Sequence, residues 1–478
     1  MRIVEVAMEF APIAKVGGLG EVVVGLSREL TRLGHDVAVI IPKYDFIHLD
    51  LNLEIPDFVS FEHGNPVSNA MWSTEIEGCH LHLLEAHHPA NYFNRGKIYG
   101  YEDDVSRFLY FSRAVVEYLK LQNEPIDVVH LHDWHVAAIA PMLKDLSELN
   151  VKRIVLSIHN AEYQGKCAAR DVEAVGLPAS DKMQDNDPKY PKTINLLKTG
   201  IVYADAVVAV SPSYAQEILT PFAGYGLDPT FQQHKGKLSG ILNGIDLELW
   251  NPSKDPHLSA KYTVQQIAAA KRKNQQAVEL RFGLQGQGKP WVGAVTRLVP
   301  QKGPGLIEEA LQQAVHEGAV FALLGSSPVP GIQHRFEQLR EKYKGHKQVL
   351  IHLEYDEALA HQLFASLDFH LVPSLFEPCG LTQMIALHYG TLPIVRATGG
   401  LKDTVFDLED ASVPENKRNG FVFEAPTHHA LADTLRRALK FWHEEPTRYQ
   451  SMIQHGMKLD FGWKTPAQQY LKVFQGLS

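Results

Sequence analysis

The chain has 478 residues, of which 45% are hydrophobic and 21% are charged, and its formal net charge is −9. This length predicts two or more domains, and the ordinary balance of apolar and charged residues indicates a water-soluble globular protein. An acidic chain without long charge runs has no general affinity for nucleic acid or anionic membranes, and its apolar runs are too short to span a bilayer. We therefore expect neither nucleic acid nor membrane among its partners.

The three cysteines and the N-terminal residues of the sequence both bear on where in the cell the protein is located. Cys79, Cys167 and Cys379 are scattered, odd in number and without a CxxC pair, which favours a reducing compartment over a disulfide framework. The strand-like run Ile3–Val6 begins almost at Met1 and leaves no room for a signal peptide. We therefore expect a cytoplasmic protein.

The first half of the chain alternates buried strands with amphipathic helices. Ile3–Val6 and Val37–Ile41 are apolar enough for buried strands, and a helical pattern between them ends at Gly34. In the loop after the first strand, Gly17 and Gly18 let the backbone approach a phosphate, and Lys15 could supply positive charge. This order opens a doubly wound nucleotide-binding fold, although a tight turn with a solvated lysine explains the same loop residues.

Residues 126–135 form a strand-like run that ends in polar groups. His130, His132, Asp133 and His135 invite a metal interpretation, but the aspartate stands one place too early for the HxHxDH pattern of metallo-hydrolases. Histidines at alternate positions of a strand share one face, often without any metal. We therefore expect no metal site here.

The next strand, Ile154–Ile158, is followed by His159, at the edge of the sheet where open α/β folds bind ligands. Residues 166–192 are rich in charged residues and prolines, and we expect a mobile excursion.

Ser211 followed by Pro212 predicts a capped helix start.

The second half repeats this alternation after the turn signal Asn243-Gly244. Arg297 and Lys302 lie in one loop after a strand, where two cations can stabilise the charge of a diphosphate leaving group without a metal.

Glu377 lies in a loop after the predicted strand Phe369–Val372. It precedes a proline, a position biased away from helix, and we expect Cys379-Gly380 to open the next helix. The unpaired N–H groups of that first turn would make residues 380–382 an anion site beside Glu377. The alternative is a loop acid that only caps the helix.

Residues 377–383, Glu-Pro-Cys-Gly-Leu-Thr-Gln, resemble the signature loop of bacterial glycogen synthases and plant starch synthases. Other segments similar to this family are 130–135, 159–165, 243–246 and 297–303. The resemblance implies an α/β protein of GT-B architecture, in which two doubly wound Rossmann-like domains face a central cleft. The acceptor-side domain would be residues 1–243 and the donor-side domain residues 244–459, and the C-terminal helix 460–478 would rejoin the first domain.

The resemblance also implies an activity. It is the retaining transfer of glucose from ADP-glucose to the non-reducing end of glycogen or a maltooligosaccharide, which forms an α-1,4 linkage and releases ADP in glycogen biosynthesis. ADP-glucose is then a substrate, and we expect neither a cofactor nor a metal. The alternatives are UDP-glucose as donor, a sucrose-synthase or trehalose-phosphate-synthase type of GT-B transferase, and a catalytically weakened glucan-binding homologue.

By the same resemblance, the catalytic residues are Glu377, Lys302, Arg297 and His159. Glu377 would bind hydroxyls of the transferred glucose, and His159 would contact the donor sugar. The residues implied in nucleotide-sugar binding are Lys15, Gly17, Gly18, Asp133, Asn243, Arg297, Lys302, Tyr355, Cys379, Gly380, Leu381 and Thr382. The chain departs from the family pattern at Val16, where threonine is usual, and at Glu21, where aspartate is usual.

Overall fold

The computed structural model describes residues 1–122, 124–145 and 148–477, and these fall into two compact units. The first unit comprises Met1–Gly244 together with Trp463–Ser478, and the second comprises Ile245–Gly462. The boundary expected after residue 243 thus lies one residue later. The segment that rejoins the first unit begins at Trp463 rather than at residue 460.

The first unit is built on a mixed sheet with helices around it. Its strands are β1 (Arg2–Val6), β2 (Asp36–Pro42), β3 (Asn52–Glu62), β4 (Asn65–Ile76), β5 (Cys79–Ala86), β6 (Ile126–His132), β7 (Val151–Ile158), β8 (Lys166–Ala168), β9 (Thr193–Asn195), β10 (Ala206–Ala209) and β11 (Leu238–Gly240). Its helices are α1 (Gly18–Arg32), α2 (Asp104–Gln122), α3 (Ile139–Asp145), α4 (Ala169–Ala174), α5 (Leu196–Tyr203), α6 (Pro212–Glu217), α7 (Pro221–Gly224), α8 (Asp228–Gln233) and the C-terminal helix Lys464–Phe474.

The strand order of this sheet is β11-β10-β7-β6-β1-β2-β5-β4-β3. The pairs are parallel from β11 to β5, while β3–β4 and β4–β5 are antiparallel. The direction of winding reverses between β1 and β6. The loops that follow these two strands therefore meet at the point where doubly wound sheets bind their ligands.

The C-terminal helix belongs to the core of the first unit. Tyr470 and Phe474 are buried in the same cluster as Val128 and Val155 from the sheet. A Cβ atom at Gly25 would come within 2.0 Å of the Trp463 indole, so α1 needs a glycine where this aromatic ring packs. Burying a side chain of this kind stabilises a fold by about 1.5–3 kcal/mol.

Two local predictions for this unit have different outcomes. The capped start of α6 is confirmed, because the Ser211 hydroxyl accepts a hydrogen bond from the Tyr214 N–H at 3.2 Å and Pro212 is the first helical residue. Residues 166–192, which we expect to form a mobile excursion, carry regular secondary structure in part. This segment contains β8 and α4, and β8 pairs antiparallel with β9.

The second unit is a parallel doubly wound sheet. Its strands are β12 (Trp291–Val295), β13 (Val320–Leu324), β14 (Val349–His352), β15 (Phe369–Val372), β16 (Leu392–Arg396) and β17 (Phe421–Phe423). Its helices are α9 (Ile267–Phe282), α10 (Pro304–His316), α11 (Pro330–Lys342), α12 (Glu357–Ser366), α13 (Thr382–His388), α14 (Gly400–Thr404), α15 (His428–Glu444) and α16 (Pro446–Gly456).

The strand order of this second sheet is β14-β13-β12-β15-β16-β17, and the pairs are all parallel. This order is the one on which dinucleotide-binding folds are built, and the winding reverses between β12 and β15. The loops after β12 and β15 are therefore neighbours. Across the described parts of both units, the helices are either too short or too polar to cross a bilayer.

Candidate active site

The loops after β12 and β15 bring an ammonium and a carboxylate together. Lys302 Nζ forms an ion pair with Glu377 Oε2, and the Ser374 hydroxyl donates to the same oxygen at 2.8 Å. The lysine side chain is 19% exposed and the glutamate side chain 7% exposed. The pair therefore lies at the reversal point of the sheet, largely shielded from water.

The two loops are fastened to each other by backbone groups. The Leu375 N–H donates to the Gln301 carbonyl at 2.7 Å, and the Gln301 amide donates to the Phe376 carbonyl at 3.2 Å. Arg396, a buried cation on β16, donates from Nε to the Ser374 carbonyl at 2.7 Å and also contacts the Leu375 carbonyl. These bonds fasten the Glu377 loop to the loop after β12 and to β16.

The glycine turn before α14 packs directly on Glu377. Gly399 has a φ of +44°, and a Cβ atom there would lie 2.0 Å from the Glu377 carbonyl oxygen. The Gly400 N–H donates to that same carbonyl at 3.0 Å. Only glycine fits this conformation and this close approach, so the turn fixes the backbone of the acid.

The helix expected to open at Cys379-Gly380 begins instead at Thr382. The reason is local, because Gly380 has a φ of +73°, which lies outside the helical region. Cys379, Gly380 and Leu381 therefore form a turn. The buried Gln383 amide secures this turn by donating to the Gly380 carbonyl at 2.9 Å and to the Thr404 hydroxyl at 3.1 Å.

Arg297 and Tyr355 are more open to solvent. Arg297 follows β12 with an exposed side chain, and it forms no ion pair with the other described residues. Tyr355 follows β14, the edge strand, and is 83% exposed, with its hydroxyl 3.5 Å from Glu357 Oε2. Both side chains are accessible to a ligand from solution.

In the first unit, the loop after β1 is held by a carboxylate. Glu9 Oε2 accepts hydrogen bonds from the N–H groups of Val16 at 2.7 Å and Gly17 at 3.1 Å, and Tyr99 donates to the other oxygen at 3.0 Å. Lys15 forms an ion pair with Glu21 in the first turn of α1. The Gly17 N–H expected to approach a phosphate therefore already has an acceptor, while Gly18 begins the helix.

Asp133 follows β6 in a conformation that is uncommon for a residue with a side chain. Its φ is +62°, it is buried, and its Oδ1 accepts the His159 N–H at 2.7 Å. Burial raises the pKa of Asp133 to about 7, although the backbone N–H groups of His159 and Asn160 oppose the shift. Backbone strain of this kind is common at functional sites.

His159 lies between Asp133 and a buried histidine. Its Nε2 is 3.0 Å from His132 Nδ1, and His132 Nε2 is 2.7 Å from Glu5 Oε2. Burial lowers the pKa of His159 well below its usual value and lowers that of His132 to about 4. Both imidazoles are therefore neutral near pH 7.

Among the residues that the structure describes, Glu5, His130 and His132 form a group that could hold a metal ion, and their ligand atoms lie within 4.8 Å of one another in the core. Glu5 Oε2 is 2.7 Å from His132 Nε2 and 2.8 Å from His130 Nδ1. The His130 contact is off the line of a hydrogen bond and is electrostatic. Ligands around a tetrahedral ion with bonds of about 2.1 Å lie about 3.4 Å apart. The 2.7 Å between Glu5 Oε2 and His132 Nε2 therefore fits a hydrogen bond better than joint metal ligation.

Asn243 stands at the end of the first unit, two residues after the core residue Ile241. It is 4% exposed, and its Oδ1 is buried without a hydrogen-bond partner among the described residues. A buried amide oxygen without a donor is costly, so a ligand that supplied one would be favoured.

Sequence reasoning missed several residues that shape these sites, namely Glu5, Glu9, Ser374 and Arg396. A signal was present for two of them. Arg396 ends an apolar strand, where a cation must find buried acceptors, and Glu9 follows β1 at the edge that binds ligands. The partners of these side chains could not be identified without the strand order.

Comparisons with known proteins show the family and the fold class. Residues 2–233 match the family model described as the starch synthase catalytic domain, and residues 278–457 match glycosyl transferases group 1. Two doubly wound units carrying these matches define a glycosyltransferase of the GT-B class. A glycogen synthase of Protochlamydia amoebophila (strain UWE25) is 44% identical over 497 residues, which cover 100% of this chain and 99% of the relative.

A second relative and one solved structure extend the comparison. Glycogen synthase 1 of Trichormus variabilis (strain ATCC 29413 / PCC 7937) is 39% identical over 494 residues, or 99% of each chain. The catalytic domain of starch synthase IV from Arabidopsis thaliana, bound to ADP and acarbose, superposes with a TM-score of 0.96 at 40% identity. The alignment covers 100% of this chain and 99% of that one. The chain belongs to the glycogen and starch synthase family.

Proposed function

We propose that this glycosyltransferase moves glucose from ADP-glucose to the non-reducing end of an α-1,4-glucan with retention of configuration, forming an α-1,4 linkage and releasing ADP. The observation that carries the proposal is the Lys302–Glu377 pair, shielded from water where the sheet of the second unit reverses its winding. A pair placed there can serve a phosphate with its ammonium and a sugar with its carboxylate.

Each partner has a defined task in this proposal. As the bond from glucose to the diphosphate breaks, negative charge grows on the leaving phosphate, and Lys302 and the exposed Arg297 stabilise it. Glu377 accepts hydrogen bonds from hydroxyls of the transferred glucose and fixes its orientation. The Ser374 hydroxyl and the Gly399 turn keep the carboxylate in place, so little reorganisation is needed when the donor binds.

The turn of Cys379, Gly380 and Leu381, together with Thr382 at the start of α13, offers backbone groups next to this pair for the donor. We assign the diphosphate to that turn together with the two cations. A short helix of seven residues follows, so hydrogen bonds from the turn should matter more than a helix dipole.

In the first unit, we assign the loop after β1, the pair Asp133 and His159, and Asn243 to binding of the nucleotide sugar. Lys15 exchanges its contact with Glu21 for a phosphate, and the N–H of Gly18, as the first helical residue, has no acceptor within its own helix. The Gly17 N–H binds phosphate only if Glu9 withdraws. Asp133 and His159 bind sugar hydroxyls, and Asn243 finds a donor for its buried oxygen.

The donor base is the least constrained part of the ligand. The related starch synthase IV domain was solved with ADP and acarbose, which supports ADP-glucose here. The exposed Tyr355 ring offers a stacking face on which a purine has more contact area than uracil. This difference in contact area corresponds to about 1–3 kcal/mol of binding free energy, which does not exclude the smaller base. UDP-glucose is therefore the alternative donor.

We further propose that the reaction needs no metal or other cofactor, because lysine and arginine supply the positive charge at the leaving group. The partners would be ADP-glucose and glycogen or a maltooligosaccharide. These substrates and the scattered thiols fit a cytoplasmic enzyme.

The test is kcat/KM for ADP-glucose and UDP-glucose with the same glycogen acceptor. We expect the value for ADP-glucose to be higher by about tenfold or more. A higher value for UDP-glucose would overturn the donor assignment. Turnover of neither donor by the folded protein would favour a glucan-binding homologue without activity.

A further inference from the structure

A line of buried hydrogen bonds runs behind His159 across three neighbouring strands of the first unit. Glu5 lies on β1, His132 ends β6 and His159 follows β7, and these strands are adjacent in the sheet. Glu5 Oε2 is 2.7 Å from His132 Nε2, and His132 Nδ1 is 3.0 Å from His159 Nε2. Glu5 and His132 are fully buried.

The carboxylate sets the direction of every proton in this line. Glu5 Oε2 stands within 2.8 Å of two imidazole nitrogens. Although burial opposes its ionisation, His130 and His132 outweigh it and lower the pKa of Glu5 to about 2. An ionised carboxylate only accepts hydrogen bonds, so His132 Nε2 must carry its proton.

The same logic continues to His159. A neutral imidazole with its proton on Nε2 has a bare Nδ1, which can only accept. His132 Nδ1 therefore accepts from His159 Nε2, and His159 in turn keeps a bare Nδ1. His159 is half-buried, and its Nδ1 has no hydrogen bond within the described part of the chain.

We propose that Glu5 and His132 are positioning residues that hold His159 as the Nε2–H tautomer, so that its Nδ1 accepts a hydrogen bond from a hydroxyl of the transferred sugar. The inference rests on the proposed function for the identity of that ligand. In this tautomer, His159 Nδ1 carries no proton and needs a hydrogen-bond donor. A sugar hydroxyl can donate to it, whereas a deoxy position cannot.

His130 provides a matched control, because it touches the same carboxylate but leads away from His159. Its Nδ1 is 2.8 Å from Glu5 Oε2, and its Nε2 is 2.7 Å from the Ser157 hydroxyl. That hydroxyl is 3.2 Å from the hydroxyl of Tyr470 on the C-terminal helix. Replacing His130 therefore disturbs the core next to Glu5 but leaves the line to His159 intact.

The decisive experiment is nitrogen NMR of the wild-type protein labelled with nitrogen-15 histidine, with the His159 signals assigned by their loss in His159→Gln. We expect a proton on Nε2 and none on Nδ1 of His159. A proton on His159 Nδ1 would overturn the proposal, and so would a His132 Nε2 without a proton, as in metal ligation. This result does not depend on activity, so it separates the inference from the proposed function.

Kinetics then test the consequence for the sugar. In wild type, one of the monodeoxy analogues of ADP-glucose should lose about tenfold in kcat/KM through the missing hydrogen bond. His132→Phe, which can neither donate to Glu5 nor accept from His159, should abolish that sensitivity. Glu5→Gln, whose amide can donate to His132, should shift His159 toward the Nδ1–H form. His130→Gln should leave both the tautomer and the analogue profile unchanged. Equal sensitivity in wild type and His132→Phe would refute the role of the line.

Discussion

Removing either partner of the Lys302–Glu377 pair should destabilise the protein unequally. Lys302→Ala leaves a carboxylate that is 7% exposed, with the neutral Ser374 hydroxyl as its remaining side-chain donor among the described residues. Glu377→Gln instead leaves an ammonium on a flexible chain that is 19% exposed and can turn toward water. Its new amide can still accept from Ser374.

The magnitudes follow from this difference in burial. Removing one partner of a fully buried ion pair lowers the free energy of unfolding by about 3–5 kcal/mol. For Lys302→Ala we expect a loss of about 2 kcal/mol, because water can enter the space left by the lysine and solvate the carboxylate. For Glu377→Gln we expect a loss of about 0.5 kcal/mol, close to the value for breaking an ion pair at the protein surface. In a unit of this size, 1 kcal/mol corresponds to about 3 °C, so the midpoints should fall by about 6 °C and about 2 °C.

The assay is calorimetric melting of both variants alongside steady-state kinetics. Lys344→Ala is the control, since that lysine is 75% exposed in a 3.2 Å pair with Glu341 and should shift the midpoint by less than about 1 °C. Both site variants should also lose about 10²–10³-fold in kcat. Equal midpoints for the two variants, or a folded Lys302→Ala with wild-type kcat, would refute the reasoning.

Three further predictions follow from the two units. Exhaustive EDTA treatment should leave kcat unchanged, whereas loss of activity restored by Mn²⁺ or Mg²⁺ would contradict the cationic site. Because burial raises the pKa of Asp133 to about 7, the unfolded state loses this proton first and stability falls as pH rises from about 4 to about 7. Asp133→Asn should remove that slope in urea unfolding, and an unchanged slope would contradict the shift. Gly399→Ala, whose Cβ would lie 2.0 Å from the Glu377 carbonyl, should abolish most activity, whereas Gly345→Ala, with positive φ but open space, should cost only about 1 kcal/mol of stability.

The sequence predicted most of the parallel strands, because strands buried on both faces are nearly continuous apolar runs. β15 was expected at Phe369–Val372 and occupies those residues. The hairpin of β3 and β4 was missed, since much of β3 is exposed and its pattern is irregular. The start of α13 was placed too early, because the positive φ of Gly380 is not visible in the residue type alone.

The sequence identified individual residues of the candidate site but not the contacts between them. Glu377 and Lys302 stood out through their motifs and loops, but their contact spans 75 positions and depends on β12 and β15 being neighbours. Glu5 looked like part of a buried strand, and nothing local indicated that it faces His132. Pairings that the strand order creates can be identified only after that order is established.

The central claim is tested most directly by incubating the protein with glycogen and glucose-labelled ADP-glucose, then digesting the polymer with an exo-acting α-1,4-glucanase. Wild type should incorporate label that the glucanase releases completely, and Glu377→Gln should incorporate almost none. Absence of label with the folded wild type, or equal incorporation by Glu377→Gln, would contradict the account.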